Sequence, residues 1–144
     1  MGKRRVSWLV LLGGTAVVLL LGLRRPSAAQ PPSFDKLVEA DRKVLGERFQ
    51  REIWPLLVRG GKDGCVGCHT GKTALRFAGD ADKNFRMLLR EGFFLKDDDG
   101  SLLSRINDTN KKRVMPPGNR PHWTAAEKRL LSDFVEAVHQ KQKS

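Results

Sequence analysis

Cysteine is scarce in this 144-residue chain. There are two, Cys65 and Cys68, three positions apart. No second pair exists to close a zinc site begun by Cys65, Cys68 and His69. A structural disulfide accounts for the pair but not for the histidine beside it. Strand signals are nearly absent, so the βαβ setting of a thioredoxin-like redox dithiol is missing as well. Acid is absent from the first 29 residues, which hold Lys3, Arg4, Arg5, Arg24 and Arg25. They supply five of the eleven net positive charges and leave +6 to the rest. With no nucleic-acid motif and no aromatic-basic platform, no nucleic-acid partner is expected. A modestly basic domain suits acidic protein partners, with most of its lysines simply solvated. Asp97-Asp98-Asp99-Gly100 lacks the alternating oxygen ligands and closing glutamate of a calcium loop, so it reads as a solvated turn.

What the chain does have is Cys65-Val66-Gly67-Cys68-His69. Cys-x-x-Cys-His is the attachment signature of c-type haem. Two thiols one helical turn apart can add across the two vinyl groups of a porphyrin. The adjacent imidazole is then held under the iron as an axial ligand. Gly60-Gly61-Lys62-Asp63-Gly64 is a turn that lets the chain approach such a group.

The amino terminus reads as a targeting segment. Lys3-Arg4-Arg5 precedes an apolar run from Val6 to Leu23, and Ser27-Ala28-Ala29 offers small residues for cleavage after Ala29. The run is 18 residues long, at the short end for a span, and Arg24 and Arg25 follow it. A retained anchor through residues 6–23 is therefore the alternative to a cleaved signal peptide over 1–29. Either way the positive flank stays in the cytoplasm and the domain is exported to the periplasm. Residues 30–33 form a linker and 34–144 the domain.

The domain is expected to be all-α. Ser33 caps a first helix starting at Phe34, with Phe34, Leu37, Val38, Leu45, Phe49 and Ile53 on its apolar face. Asp41 interrupts that stripe and Gly46 weakens it. Pro55 should kink or end the helix. Trp54, Leu56 and Leu57 lead toward the attachment loop. A second helix runs from about Asp82 to Arg90, with Phe85, Leu88 and Leu89 inward, Met87 as a core residue and Gly92 beyond its end. Ser101 opens a short helix through Leu102, Leu103 and Ile106. Asn107–Arg113 is loop. The last helix opens on the capping box Thr124-Ala125-Ala126-Glu127. Leu130, Leu131, Phe134, Val135 and Val138 form its apolar face, with Lys128, Arg129, Glu136 and Lys141 in water. It fades by Gln140 and packs on the first helix.

In Val114-Met115-Pro116-Pro117-Gly118 a loop methionine is braced by two prolines, which fix the backbone and remove amide donors. A thioether held there can complete a six-coordinate iron opposite His69, whereas elsewhere it would fill a gap in a core. Met87 sits inside a helical stripe too near His69 for that role. His122 is the other candidate for the distal side. His139, near a helix end, is given no functional role.

Together these pieces resemble the single-haem cytochrome c family in its small bacterial form, over about residues 34–140. The match is carried by Cys65-Val66-Gly67-Cys68-His69, by Ser101-Leu102-Leu103 followed by Met115-Pro116-Pro117, and by the helix opened at Thr124. The resemblance implies one covalent haem c, with Cys65 and Cys68 as thioether attachments, His69 as proximal iron ligand and Met115 as distal ligand. It implies an all-α cytochrome c fold whose first and last helices pack around the haem. The activity implied is electron transfer, not catalysis, in an exported bacterial electron-transport chain. A haem shell of Trp54, Leu56, Leu57, Phe85 and the last helix is expected, with Lys111, Lys112 and Arg113 steering an acidic redox partner. The rivals are a haem-based ligand sensor and a small haem enzyme, both of which need an open or labile distal position.

Overall fold

The computed structural model describes residue 34 and residues 37–143, apart from 72, 74, 97 and 119. The expected leader or anchor, the linker with Ser33, and Asp97 lie outside the described residues. Among the described residues there is no strand, and the elements are helical: α1 (Glu39–Arg48), a π turn (Phe49–Ile53), α2 (Trp54–Val58), a 3-10 turn (Gly61–Asp63), α3 (Cys65–Cys68), α4 (Ala81–Arg90), α5 (Leu102–Asn107) and α6 (Ala125–Lys143). Among the described residues no helix is long and apolar enough to cross a membrane. The apolar run from Val6 to Leu23 is not among them.

The first helix departs from the sequence pattern at both ends. It begins at Glu39 rather than Phe34. Phe34 and Leu37 are buried in the turn before it, while Val38 is 60% exposed. Pro55 does not stop it: α1, the π turn and α2 run on to Val58. Proline lacks an amide hydrogen and its ring crowds the carbonyl four residues back. The wider turn just before it, where the Trp54 amide donates to the Phe49 carbonyl, accommodates both. The buried residues Leu45, Phe49, Ile53 and Leu57 recur every fourth position. On a 3.6-residue helix that spacing drifts by about 40° per step, and the π turn takes back part of the drift.

α6 lies along α1 and the π turn, α4 packs on the same pair, and α5 packs on α6. At one end of the core four rings, Phe49, Phe85, Phe94 and Phe134, meet in all six pairings, with centroids 5.4–6.2 Å apart. Such contacts stabilise beyond their buried area. Asp41, which breaks the apolar stripe, is used: Lys141 Nζ lies 3.0 Å from it across the α1–α6 contact. Glu136 likewise pairs with Lys96. Neither Lys141 nor Glu136 is therefore left to water alone, and α6 continues to Lys143 instead of fading by Gln140. His139 also has a structural job, since its Nε2 donates to the Phe94 carbonyl (2.9 Å) and its ring stands edge-on to Phe34.

The caps follow the sequence closely. Asp80 accepts from the Lys83 amide at the start of α4, and Ser101 from the Ser104 amide at the start of α5. At α6, the Thr124 amide donates to Glu127 (2.8 Å) and the Glu127 amide to Thr124 Oγ1 (3.3 Å), closing the capping box. Buried Asn84 accepts from the Ala78 amide and donates to the Asp80 carbonyl. It thereby fixes the segment that runs from His69 into α4.

Candidate functional site

Away from the phenylalanine cluster the helices leave a cavity of about 420 Å³. Its wall is almost wholly apolar: Leu57 from α2, Leu75, Phe93, Leu102 and Ile106 from α5 and its approaches, Trp123, and Leu131 from α6. Cys65, His69, Thr73, Gly100, Arg105 and Met115 complete it. Three of the four predicted site residues, Cys65, His69 and Met115, thus face one space.

α3 is a single helical turn, and it sets Cys65 and Cys68 one turn apart, as the spacing requires. The glycines around it are demanded by close backbone approach. A Cβ at Gly67 would sit 2.1 Å from the Gly61 carbonyl oxygen, and one at Gly64 2.1 Å from that of Arg59. Gly60, at φ 88°, turns the chain into this loop. The two cysteines are not joined as a disulfide. Cys65 is half-buried, and burial pushes its thiol above the ordinary cysteine value. Cys68 is exposed, outside the cavity wall, with its thiol toward the Lys62 carbonyl at 3.5 Å.

His69 is held on several sides. Its amide donates to the Cys65 carbonyl (2.9 Å) and its own carbonyl accepts from Phe77 (2.8 Å). The Phe77 ring stands perpendicular to the imidazole. Nδ1 lies 3.2 Å from the Leu75 carbonyl and 3.1 Å from Thr73 Oγ1. A carbonyl only accepts, so in the neutral ring Nδ1 carries the proton and Nε2 the lone pair. This is how a metal-binding imidazole is fixed in tautomer and orientation.

Met115 is hung from α5, its amide donating to the Arg105 carbonyl at 2.9 Å. The loop leading to it is pinned by its own side chains. Asp108 accepts from the Asn110 amide, and Asn110 from the Lys112 amide. Arg113 Nε lies 2.8 Å from Asp108, with Nη2 3.2 Å from Asp99.

Several expectations need correction. Trp54 packs on Phe49 and Phe77, Leu56 lines a smaller neighbouring hollow, and Phe85 belongs to the aromatic cluster. None of the three lines the main cavity, whereas Leu57 and Leu131 do. Arg113 is held by Asp99 and Asp108, which leaves Lys111 and Lys112 as the exposed cations of that loop. His122 is exposed and outside the cavity wall. Met87 packs half-buried against the core, as expected. Trp123, Leu75, Phe93 and Arg105 were not anticipated. Buried Trp123 precedes the capping box by one residue, where an apolar residue commonly packs against the first turn, and that was the available signal.

An ion pair ties α2 to α6 beside the smaller hollow, which Arg59 lines together with Cys65 and Trp123. Arg59, at the end of α2, forms a two-pronged contact with Glu127 on the first turn of α6. That contact, with the Thr124 bonds, holds the Glu127 carboxyl at about 2.

The donor set suits a haem. There is an imidazole nitrogen with a free lone pair, a thioether, a cysteine thiol with a second one turn away, and an apolar wall. Its volume falls in the usual range for a bound cofactor. Among the described residues no three His, Cys, Asp or Glu side chains converge as a metal site. Comparison with protein-family models, curated proteins and solved structures finds no match for this chain.

Proposed function

We propose that this domain binds one covalent haem c and carries single electrons, in the manner of the single-haem cytochrome c family that its motifs resemble. The observation that carries this reading is that the Cys65–His69 turn and Met115, distant from it in sequence, converge on one apolar cavity. Cys65 and Cys68 would hold the haem as thioethers, and His69 Nε2 and the Met115 thioether would bind its iron. When bound, the haem supplies a one-electron iron couple.

The chain's own residues define the rest. Thr73 and Leu75 fix the imidazole. Arg105 fixes the backbone of Met115. Leu57, Leu102, Ile106, Trp123 and Leu131 exclude water, which disfavours net charge in the site. With the His69 ring and the Met115 backbone both held in place, the site would favour electron carriage over a sensor or an enzyme, because both rivals need a position that opens. Lys111 and Lys112 offer an acidic redox partner a steering charge. Export to the periplasm, by a cleaved or retained amino-terminal segment, belongs to the same proposal.

The test is the absorption spectrum of the exported protein, oxidised and reduced. Covalent low-spin haem with the weak near-infrared sulfur-to-iron band is expected. Covalent haem without that band, together with rapid carbon monoxide binding, favours a sensor or enzyme. Absence of covalent haem refutes the proposal.

A further inference from the structure

Most arginines of this domain are already answered by a carboxylate. Arg48 and Arg51 meet Glu52, Arg59 meets Glu127, Arg86 meets Asp82 and Glu39, Arg90 meets Glu91, and Arg113 meets Asp99 and Asp108. Arg105 is different. It is half-buried on α5 between Leu102 and Ile106, and all three line the main cavity. Among the described residues it is the one arginine or lysine in that wall, and none of them gives its guanidinium a hydrogen bond or ion pair. Arg129, also without a described partner, stands exposed on α6, where water satisfies it.

A guanidinium in an apolar wall is costly unless an anion meets it, and its forked donors match a carboxylate. Arg105 does a second thing at the same place: its carbonyl accepts the amide of Met115. We infer that Arg105 is a positioning residue that binds a propionate carboxylate of the haem and, through its carbonyl, holds the Met115 segment in register with it. The inference rests on the haem reading above. Anchoring the guanidinium anchors α5, a helix of six residues, and with it the loop that carries the thioether.

The test uses the haem-loaded full chain with Arg105→Gln, Arg105→Lys and, as a control, Arg129→Gln. Arg105→Gln is expected to lower the midpoint potential, because a positive charge that offsets the propionate is lost. It should also weaken the near-infrared sulfur-to-iron band and speed carbon monoxide binding. Arg105→Lys should recover most of these changes, and Arg129→Gln should cause none. An Arg105→Gln protein with covalent haem and unchanged potential, band and carbon monoxide rate overturns the inference and leaves the haem reading intact. An unaltered chain without covalent haem overturns the haem reading itself. Should Arg105→Gln not accumulate, the full chain carrying Cys65→Ala and Cys68→Ala is titrated with protohaem and with its dimethyl ester. The ester should bind about tenfold more weakly, the size expected for one charge-assisted contact, and equal affinities overturn the inference.

Discussion

Replacing Glu127 by glutamine removes one charge and little else. Glutamine can still accept from the Thr124 amide, so the capping box survives, but the contact with Arg59 loses its charge. The carboxyl, held at about 2 by Arg59 first and by the Thr124 bonds second, has an ordinary value of 4.5. At full strength that difference is worth about 3 kcal/mol. The Arg59 side chain is 48% exposed, so water screens the pair, and roughly 1–2 kcal/mol is the reasonable share. The sign follows from the direction. A carboxyl depressed in the folded state stabilises it fully above 4.5, and the gain drains away as pH falls toward 2. Urea unfolding followed by helical circular dichroism should therefore show Glu127→Gln less stable by roughly 1–2 kcal/mol at pH 7, with the gap closing by pH 2. A gap that is the same at both pH values would refute the reasoning, since it would owe nothing to the charge.

Gly67→Ala should lower both thermal stability and the yield of covalent haem, because the added Cβ meets the Gly61 carbonyl at 2.1 Å and Lys62 Cα at 2.6 Å. Overpacking of this kind costs about 1–3 kcal/mol, and an unchanged melting temperature counts against it. Lys111→Glu with Lys112→Glu should slow electron transfer to an acidic partner and flatten its dependence on ionic strength; an unchanged rate and salt slope removes that loop from the docking site. Arg113→Glu should act differently, lowering stability because it sets a third acid against Asp99 and Asp108, and denaturant unfolding separates the two effects. Phe94→Ala should cost about 3–5 kcal/mol while leaving the absorption spectrum of the folded protein unchanged, since Phe94 belongs to the aromatic cluster and does not line the cavity; a shifted spectrum would contradict that separation.

Capping chemistry was the part of the fold most legible in the sequence. Ser101 and the Thr124–Glu127 box each act through a short side chain on a nearby amide, so neighbouring residues suffice to predict them. The attachment motif was equally plain. Tertiary partnership was less legible. Periodicity identifies an apolar face but not what covers it, so Trp54 and Phe85 were expected in a haem shell, whereas they pack among aromatic rings and do not line the cavity. Pro55 was expected to kink or end the first helix; it does not end it, because a π turn depends on the i→i+5 pairing of Phe49 and Trp54, which no local preference announces. Arg105 escaped notice for a simpler reason. A charge on a short amphipathic helix ordinarily reads as its solvated side, and only the fold shows the cavity against it.

Those misassignments share a cause that bears on the site. The core has two ends built from the same helices. The first helix contributes Phe49 to the aromatic cluster and Leu57 to the cavity, and α6 contributes Phe134 and Leu131. On each helix the two residues lie on one apolar stripe, which is why sequence could not divide them. The same continuity means that the aromatic end, closed by six ring contacts among four phenylalanines, fixes how far apart the first helix and α6 stand at the cavity end. Short segments then bring the chemistry to a space whose width is already set: α3 and the turn after it carry Cys65 and His69, and the loop hung from α5 carries Met115. A site arranged this way holds its imidazole and thioether on backbone contacts that do not themselves form the core. Substitutions in the phenylalanine cluster should accordingly act on stability, and substitutions at Arg105, Thr73 or Leu75 on the properties of the bound group.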